Sequence, residues 1–173
     1  MKTSMTFLMC FGALAMIGCA EKSETSSQTK PSVDGTKFVM AEEPEGAQEA
    51  IAARESAADG EEMTVVGRIG GAVNPWVEDR AAFTIVDNSL KACSDIPGDA
   101  CKTPWDYCCA TDKLPGATVL VKFVDDEGNL VDADARKLLP VEELSTVVGK
   151  GKAQRDDEGN LTLLASKVHV KKK

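Results

Sequence analysis

The chain has 173 residues, 28 acidic against 20 basic side chains, a net charge of −8 and a single histidine. That length holds one ordinary domain plus a leader and a tether. The acidic balance argues against a polyanionic partner, and one histidine leaves most acid–base schemes to carboxylates.

The chain opens MKTSMTFLMCFGALAMIGCAEKSETSSQTK. Lys2 supplies a short positive region, and Phe7 to Ile17 form an apolar run of signal-peptide length. The run is shorter than the roughly 20 residues a spanning helix needs. It ends at Ile17-Gly18-Cys19, which resembles the lipobox of bacterial lipoproteins, with Met16 where that family most often has Leu. The resemblance implies cleavage after residue 18 and lipid on Cys19, whose acyl chains would hold the protein to a membrane. Ala20 in place of Asp resembles lipoproteins sent on to an outer membrane. The expected location is therefore exported, lipid-anchored and facing the periplasm.

Residues 19–45 read as a disordered tether, because Ser, Thr, Lys and Glu dominate without hydrophobic periodicity. EPEGAQEAIAARESAADG then predicts a short helix with Ala47, Ile51, the Arg54 stem and Ala58 on one face and Gly60 as its stop. The domain is expected over 46–173, this helix included.

Five runs follow in strand language. MTVVGRIGG alternates Val65, Gly67 and Ile69 against Thr64, Val66 and Arg68. AVNPWVEDR, with Trp76, is a turn-rich connection to Ala81–Asp87, where Phe83 and Ile85 share a face. Ala117–Asp125 is the third run, Leu144–Gln154 the fourth and Leu161–Lys171 the fifth, with a phase shift that predicts a bulge near Ser166. DDEGNL occurs at Asp125–Leu130 and again at Asp156–Leu161. Its consecutive acids lack the spaced oxygens of a calcium loop, whereas Glu-Gly-Asn between strands is turn chemistry.

Short, glycine-punctuated strands predict an all-β, five-stranded small barrel in place of an open sheet with exposed edges. The layout resembles the small exported OB-fold proteins of bacterial periplasms. The likeness is carried by Asp59-Gly60, Met63, Val65, Gly67 and Ile69, then Phe83, Ile85 and Asp87, then Val147 to Gly151 and Gly159 to Val168. IGG, AAFTIVD and TPWDYCC in that order also resemble lipoproteins of planctomycete-type bacteria, a likeness that implies no activity.

The chain departs from the OB pattern at a cysteine-bearing insert, residues 88–116. Cys10 leaves with the leader and Cys19 takes lipid, so Cys93, Cys101, Cys108 and Cys109 remain. Three chemistries fit them. The first expectation is a disulfide-stapled loop, in an exported chain with an even cysteine count. A bridge between the neighbours Cys108 and Cys109 strains the peptide between them, so Cys93 and Cys101 would each take one of that pair. The second is a thiolate site for zinc or copper(I), although C-x7-C-x6-C-C lacks the C-x2-C grip. The third is redox work, for which neither C-x-x-C nor a helix start is evident. No G-x-S-x-G, H-E-x-x-H or phosphate loop occurs.

The functional expectation is a non-enzymatic binding or envelope module without a cofactor. Its membrane partner would be reached through the lipid, and an envelope protein or small ligand would dock around Trp76, Trp105, Asp106 and Tyr107. A metal or redox protein using the four cysteines is the alternative. Nucleic-acid binding ranks below both, because an acidic domain lacks the basic groove that stacking aromatics need.

Overall fold

A computed structural model describes residues 33–172. The leader, Cys19 and the first part of the tether lie outside the described residues. Among those described, no helix is long and apolar enough to cross a membrane.

The elements are β1 (Gln48–Glu49), α1 (Ala50–Ser56), β2 (Glu62–Ile69), β3 (Ala82–Val86), α2 (Leu114–Ala117), β4 (Thr118–Phe123), α3 (Ala135–Leu138), β5 (Thr146–Arg155) and β6 (Leu161–Val170). β2 pairs antiparallel with β3, and β3 with β4; β4 runs parallel to β6; β6 pairs antiparallel with β5, and β5 closes back on β2. This is the closed five-stranded Greek-key barrel of OB type. Closure removes the unpaired edges that short strands would otherwise expose.

Alternation sorts the side chains. Val65, Ile69, Phe83, Ile85, Val119, Val121, Phe123, Leu161 and Leu163 fill the interior. The Phe83 and Phe123 rings lie 5.9 Å apart, and Trp76 meets Phe83 edge-on at 5.6 Å. The phase shift in β6 is real: Lys150 faces Lys167 but Gly151 faces Ala165, so Ser166 is the extra residue. Gly151 allows this close approach, because a Cβ there would lie 2.0 Å from the Leu164 carbonyl oxygen. Both DDEGNL segments are turns. Asp125 accepts hydrogen bonds from the Glu127 and Asn129 amides, and Asp156 repeats the pattern with Glu158 and Asn160.

Two expectations are corrected. The domain starts before residue 46, and part of the expected tether belongs to it. Phe38 ends a 3₁₀ turn, Gly35–Phe38, and is only 3% exposed, packed against Phe123 at 5.5 Å. Val39 bridges Val168, and the Met40 amide donates to the Val168 carbonyl. One buried phenylalanine contributes about 1.5–3 kcal/mol, which outweighs the polar composition around it. The helix also turns another face inward than expected. Ala50, Ala53 and Ala57 are buried, while Ile51 is half-buried and Ala58 exposed. Small alanines let this short helix lie close on the barrel, where larger side chains would hold it off.

Asp87 fastens that helix. Its carboxylate is buried and accepts from the Ile51 amide at 2.8 Å, the Ser89 amide at 2.9 Å and the Ser89 hydroxyl at 2.6 Å. In return, Glu49 accepts from the Asn88 amide at 3.2 Å. Burial pushes the Asp87 pKa up, but the hydrogen bonds from Ser89 and Ile51 outweigh it and the group titrates below its ordinary value. A carboxyl with a depressed folded pKa stabilises the fold above its unfolded value of about 3.9, and the contribution is lost as pH falls through the folded value. Asp87→Ala is therefore expected to cost about 2–3 kcal/mol at neutral pH. In urea titrations the gap between wild type and variant should narrow below about pH 4.

Candidate functional site

The insert begins where Asp87 leaves the barrel and returns at β4. It is ordered with little regular structure: 3₁₀ turns at Cys93–Asp95, Pro104–Asp106 and Cys108–Ala110, then α2. Three contacts seat it. Arg68 of β2 pairs with Asp95 at 2.5 Å. The Gly71 amide donates to the Trp105 carbonyl at 2.8 Å, and the Trp105 indole N–H donates to the Val73 carbonyl at 3.0 Å. Gly70 makes room, since a Cβ there would stand 2.5 Å from the Trp105 carbonyl oxygen and 2.9 Å from the Tyr107 ring.

Tyr107 is the pivot. It is fully buried in a second apolar cluster with Val86, Leu90, Ala92 and Ala117. Its backbone is left-handed, φ 56° and ψ 35°, between two 3₁₀ turns. Such a conformation is costly for a bulky residue and persists only when its surroundings impose it. Here the buried ring imposes it, and the reversal folds Cys108 back over Cys93. Burial pushes the Tyr107 phenol up, and its hydroxyl meets no partner among the described residues.

The four cysteines meet at this reversal. The Cys93 and Cys108 sulfurs are 3.4 Å apart, and those of Cys108 and Cys109 are 4.0 Å apart. A disulfide holds its sulfurs at about 2.05 Å, so no expected bridge is formed: Cys93, Cys101, Cys108 and Cys109 are all free. The physical reason is convergence in place of pairing. The sulfurs of Cys93, Cys101 and Cys108 and a carboxylate oxygen of Asp106 all lie within 4.8 Å of one another. Asp106 Oδ1 stands 3.8 Å from Cys93 Sγ and 4.0 Å from Cys101 Sγ. With metal–sulfur bonds of about 2.3 Å, two sulfurs on one tetrahedral zinc stand about 3.8 Å apart. The Cys93–Cys108 separation of 3.4 Å lies near that edge, and all four donor atoms stay within 4.8 Å of one another.

Asp106 is held for this position. Its Oδ2 accepts from the Thr103 hydroxyl at 2.8 Å, and its Oδ1 from the Cys108 amide at 2.9 Å. Those two bonds, the hydroxyl first, keep its carboxyl below the ordinary range. Burial pushes the Cys93 thiol up, and the Cys93 thiol beside Cys108 pushes that one far up. Groups this close resist ionising together.

The expected docking surface is not assembled. Trp76 is 5% exposed, with its indole N–H on Glu143 at 2.7 Å, and Tyr107 is buried; both are core residues. Trp105 and Asp106 are half-buried and belong to the insert. Asp99 was missed. Its Oδ1 accepts from the Cys101 amide at 2.6 Å while Oδ2 stands 3.8 Å from Cys109 Sγ. The available signal is a repeated D-x-C, Asp99-Ala100-Cys101 and Asp106-Tyr107-Cys108, in which each Asp accepts from the amide of its own cysteine.

No protein-family model matches the chain, and neither does any curated protein. Among solved structures it is similar to a proposed aspartyl-tRNA synthetase from Leishmania major Friedlin, at 7% identity and a TM-score of 0.39. The match covers 77% of this chain and 22% of that one, so the chain spans about a fifth of that protein. The architecture is read from the strand pairing itself.

Two substitutions separate packing from polarity at the pivot. Tyr107→Ala should destabilise by about 3–5 kcal/mol and open the insert to proteolysis. Tyr107→Phe should change stability by less than about 1 kcal/mol, because the deleted hydroxyl makes no hydrogen bond. Thermal melts with limited trypsin digestion measure both.

Proposed function

We propose that the chain is a lipid-anchored module of the bacterial envelope whose ligand is a metal ion held by the thiolates of the insert. One observation carries the reading: Cys93, Cys101 and Cys108 converge with the Asp106 carboxylate within 4.8 Å, and no two sulfurs are at bonding distance. Three sulfurs and one oxygen make a donor set for zinc, which is borderline-soft and takes four mixed ligands. Copper(I) prefers sulfur alone, so Asp106 favours zinc. Four protein donors leave no open position on the ion, as in zinc sites that stabilise structure. The reading is thus of a non-enzymatic module in which metal and insert order one another. Binding energy would replace the secondary structure the insert lacks. The lipobox-like Ile17-Gly18-Cys19 supports the membrane part of the reading, together with the planctomycete-type likeness.

Protein purified without chelator is expected to contain zinc and four titratable thiols in the insert. Removing the metal should lower the melting temperature and expose the Cys101–Pro104 segment to protease, and adding zinc back should reverse both. Stable protein with Cys93 and Cys101 each bridged to Cys108 or Cys109, seen by non-reducing peptide mass spectrometry, would sink the metal reading. For the anchor, Cys19→Ala should leave the protein unprocessed by the lipoprotein route and release no lipid-modified peptide. Continued lipid modification in that variant would refute it.

A further inference from the structure

The first four donors do not use all of the chemistry at the reversal. Cys93 Sγ, Cys109 Sγ and a carboxylate oxygen of Asp99 form a second group, again within 4.8 Å of one another. Cys93 belongs to both groups, and it is the buried member, 1% exposed, with Asp99 and Cys109 toward solvent. Cys108 and Cys109 are neighbours in sequence, yet each belongs to a different group.

Resting on the zinc reading above, we propose that the insert is a two-zinc thiolate cluster in which Cys93 bridges the ions. The first ion takes Cys93, Cys101, Cys108 and Asp106. The second takes Cys93, Cys109 and Asp99. The two half-sites are built alike. In each, an Asp accepts the amide hydrogen of the cysteine two residues on: Asp106 that of Cys108 in its own half-site, and Asp99 that of Cys101 in the first, while the other Asp99 oxygen stands 3.8 Å from Cys109 Sγ. The geometry also explains the adjacent pair Cys108-Cys109. Two sulfurs 4.0 Å apart on consecutive residues serve two ions, one on each side of the buried Cys93.

Charge supports the sharing. Four thiolates and two carboxylates around one divalent ion would leave four uncompensated negative charges, and a second ion halves that excess. The two ions differ in access. The first has four protein donors, whereas the second has three and a solvent-facing side, the arrangement that leaves a coordination position for water or an exogenous donor. Binding is ordinary acid–base exchange: the first ion displaces the thiol protons of Cys93, Cys101 and Cys108 to buffer, and the second displaces that of Cys109 alone, since Cys93 is already a thiolate.

The test is zinc stoichiometry in the full-length chain carrying Cys10→Ser and Cys19→Ser, so that only the four insert thiols remain. The reduced protein is loaded with zinc and weighed by native mass spectrometry, with circular dichroism to confirm that each variant keeps its barrel. Two zinc ions are expected, falling to one in Cys109→Ser and in Asp99→Ala. Calorimetry in buffers of different ionisation enthalpy should show more protons released by the first ion than by the second. A single ion bound by the parent, unchanged by either substitution, overturns the bridge and leaves the one-zinc reading standing. A single ion lost in Cys109→Ser also overturns it, by making Cys109 a ligand of the only centre. No zinc in the parent overturns both readings.

Discussion

A carboxylate shielded from water holds three separate stretches of this chain together. Asp87 follows β3, accepts the Ile51 amide of α1, and accepts both the amide and the hydroxyl of Ser89 at the start of the insert. Burying a charge is costly unless hydrogen bonds replace its water, and here three do so. The helix has too thin an apolar face to dock unaided, because its buried residues are alanines. Once docked, it places Ile51 against the cluster that receives Tyr107. The insert therefore inherits its seat from an interaction outside it.

Within the insert, order comes from side chains acting on backbone more than from repeating structure. Asp99 and Asp106 each close a short turn, Arg68 pins Asp95, and the Gly71 amide just past β2 donates to the Trp105 carbonyl. The buried Tyr107 ring then enforces a left-handed turn that no local preference would choose. Its energetic cost is met by burial of the ring, and its effect is the convergence of sulfur atoms far apart in sequence.

Much of the barrel was legible because alternation is a direct imprint of a two-faced strand. All five runs fall within about two residues of the observed strands, as such readings allow, and the Ser166 bulge follows from the broken phase of Leu161, Leu163, Ala165 and Val168. The DDEGNL turns were legible from local chemistry. Phe38 was hidden, since one aromatic residue in a polar stretch has no periodicity to announce it. The alanine face of α1 was hidden because helix burial there depends on close approach and not on side-chain size. At the site, the cysteines were legible as a set, but pairing and convergence share one composition. What separates them is the turn at Tyr107 and the direction of two carboxylates, both consequences of tertiary packing. Trp76 and Tyr107 belong to the core and not to the expected docking surface, since large aromatics with polar tips suit either environment.

Barrel closure rests on pairings distant in sequence. β2 pairs with β5, β4 with β6, and Val39 bridges Val168, so the stretch at each end of the domain waits for the other. Non-local pairings of this kind slow folding, because loop-closure entropy must be met before the contacts stabilise anything. Until the last strand arrives, β4 has no β6 beside it, and the insert that leads into β4 lacks a finished platform. During that interval the thiols sit on an unfolded chain, open to whatever reacts first. Under the metal reading proposed above, the fate of the four sulfurs becomes a race set by chain topology, in which the order of arrival of strand, metal and oxidant counts for as much as final affinity.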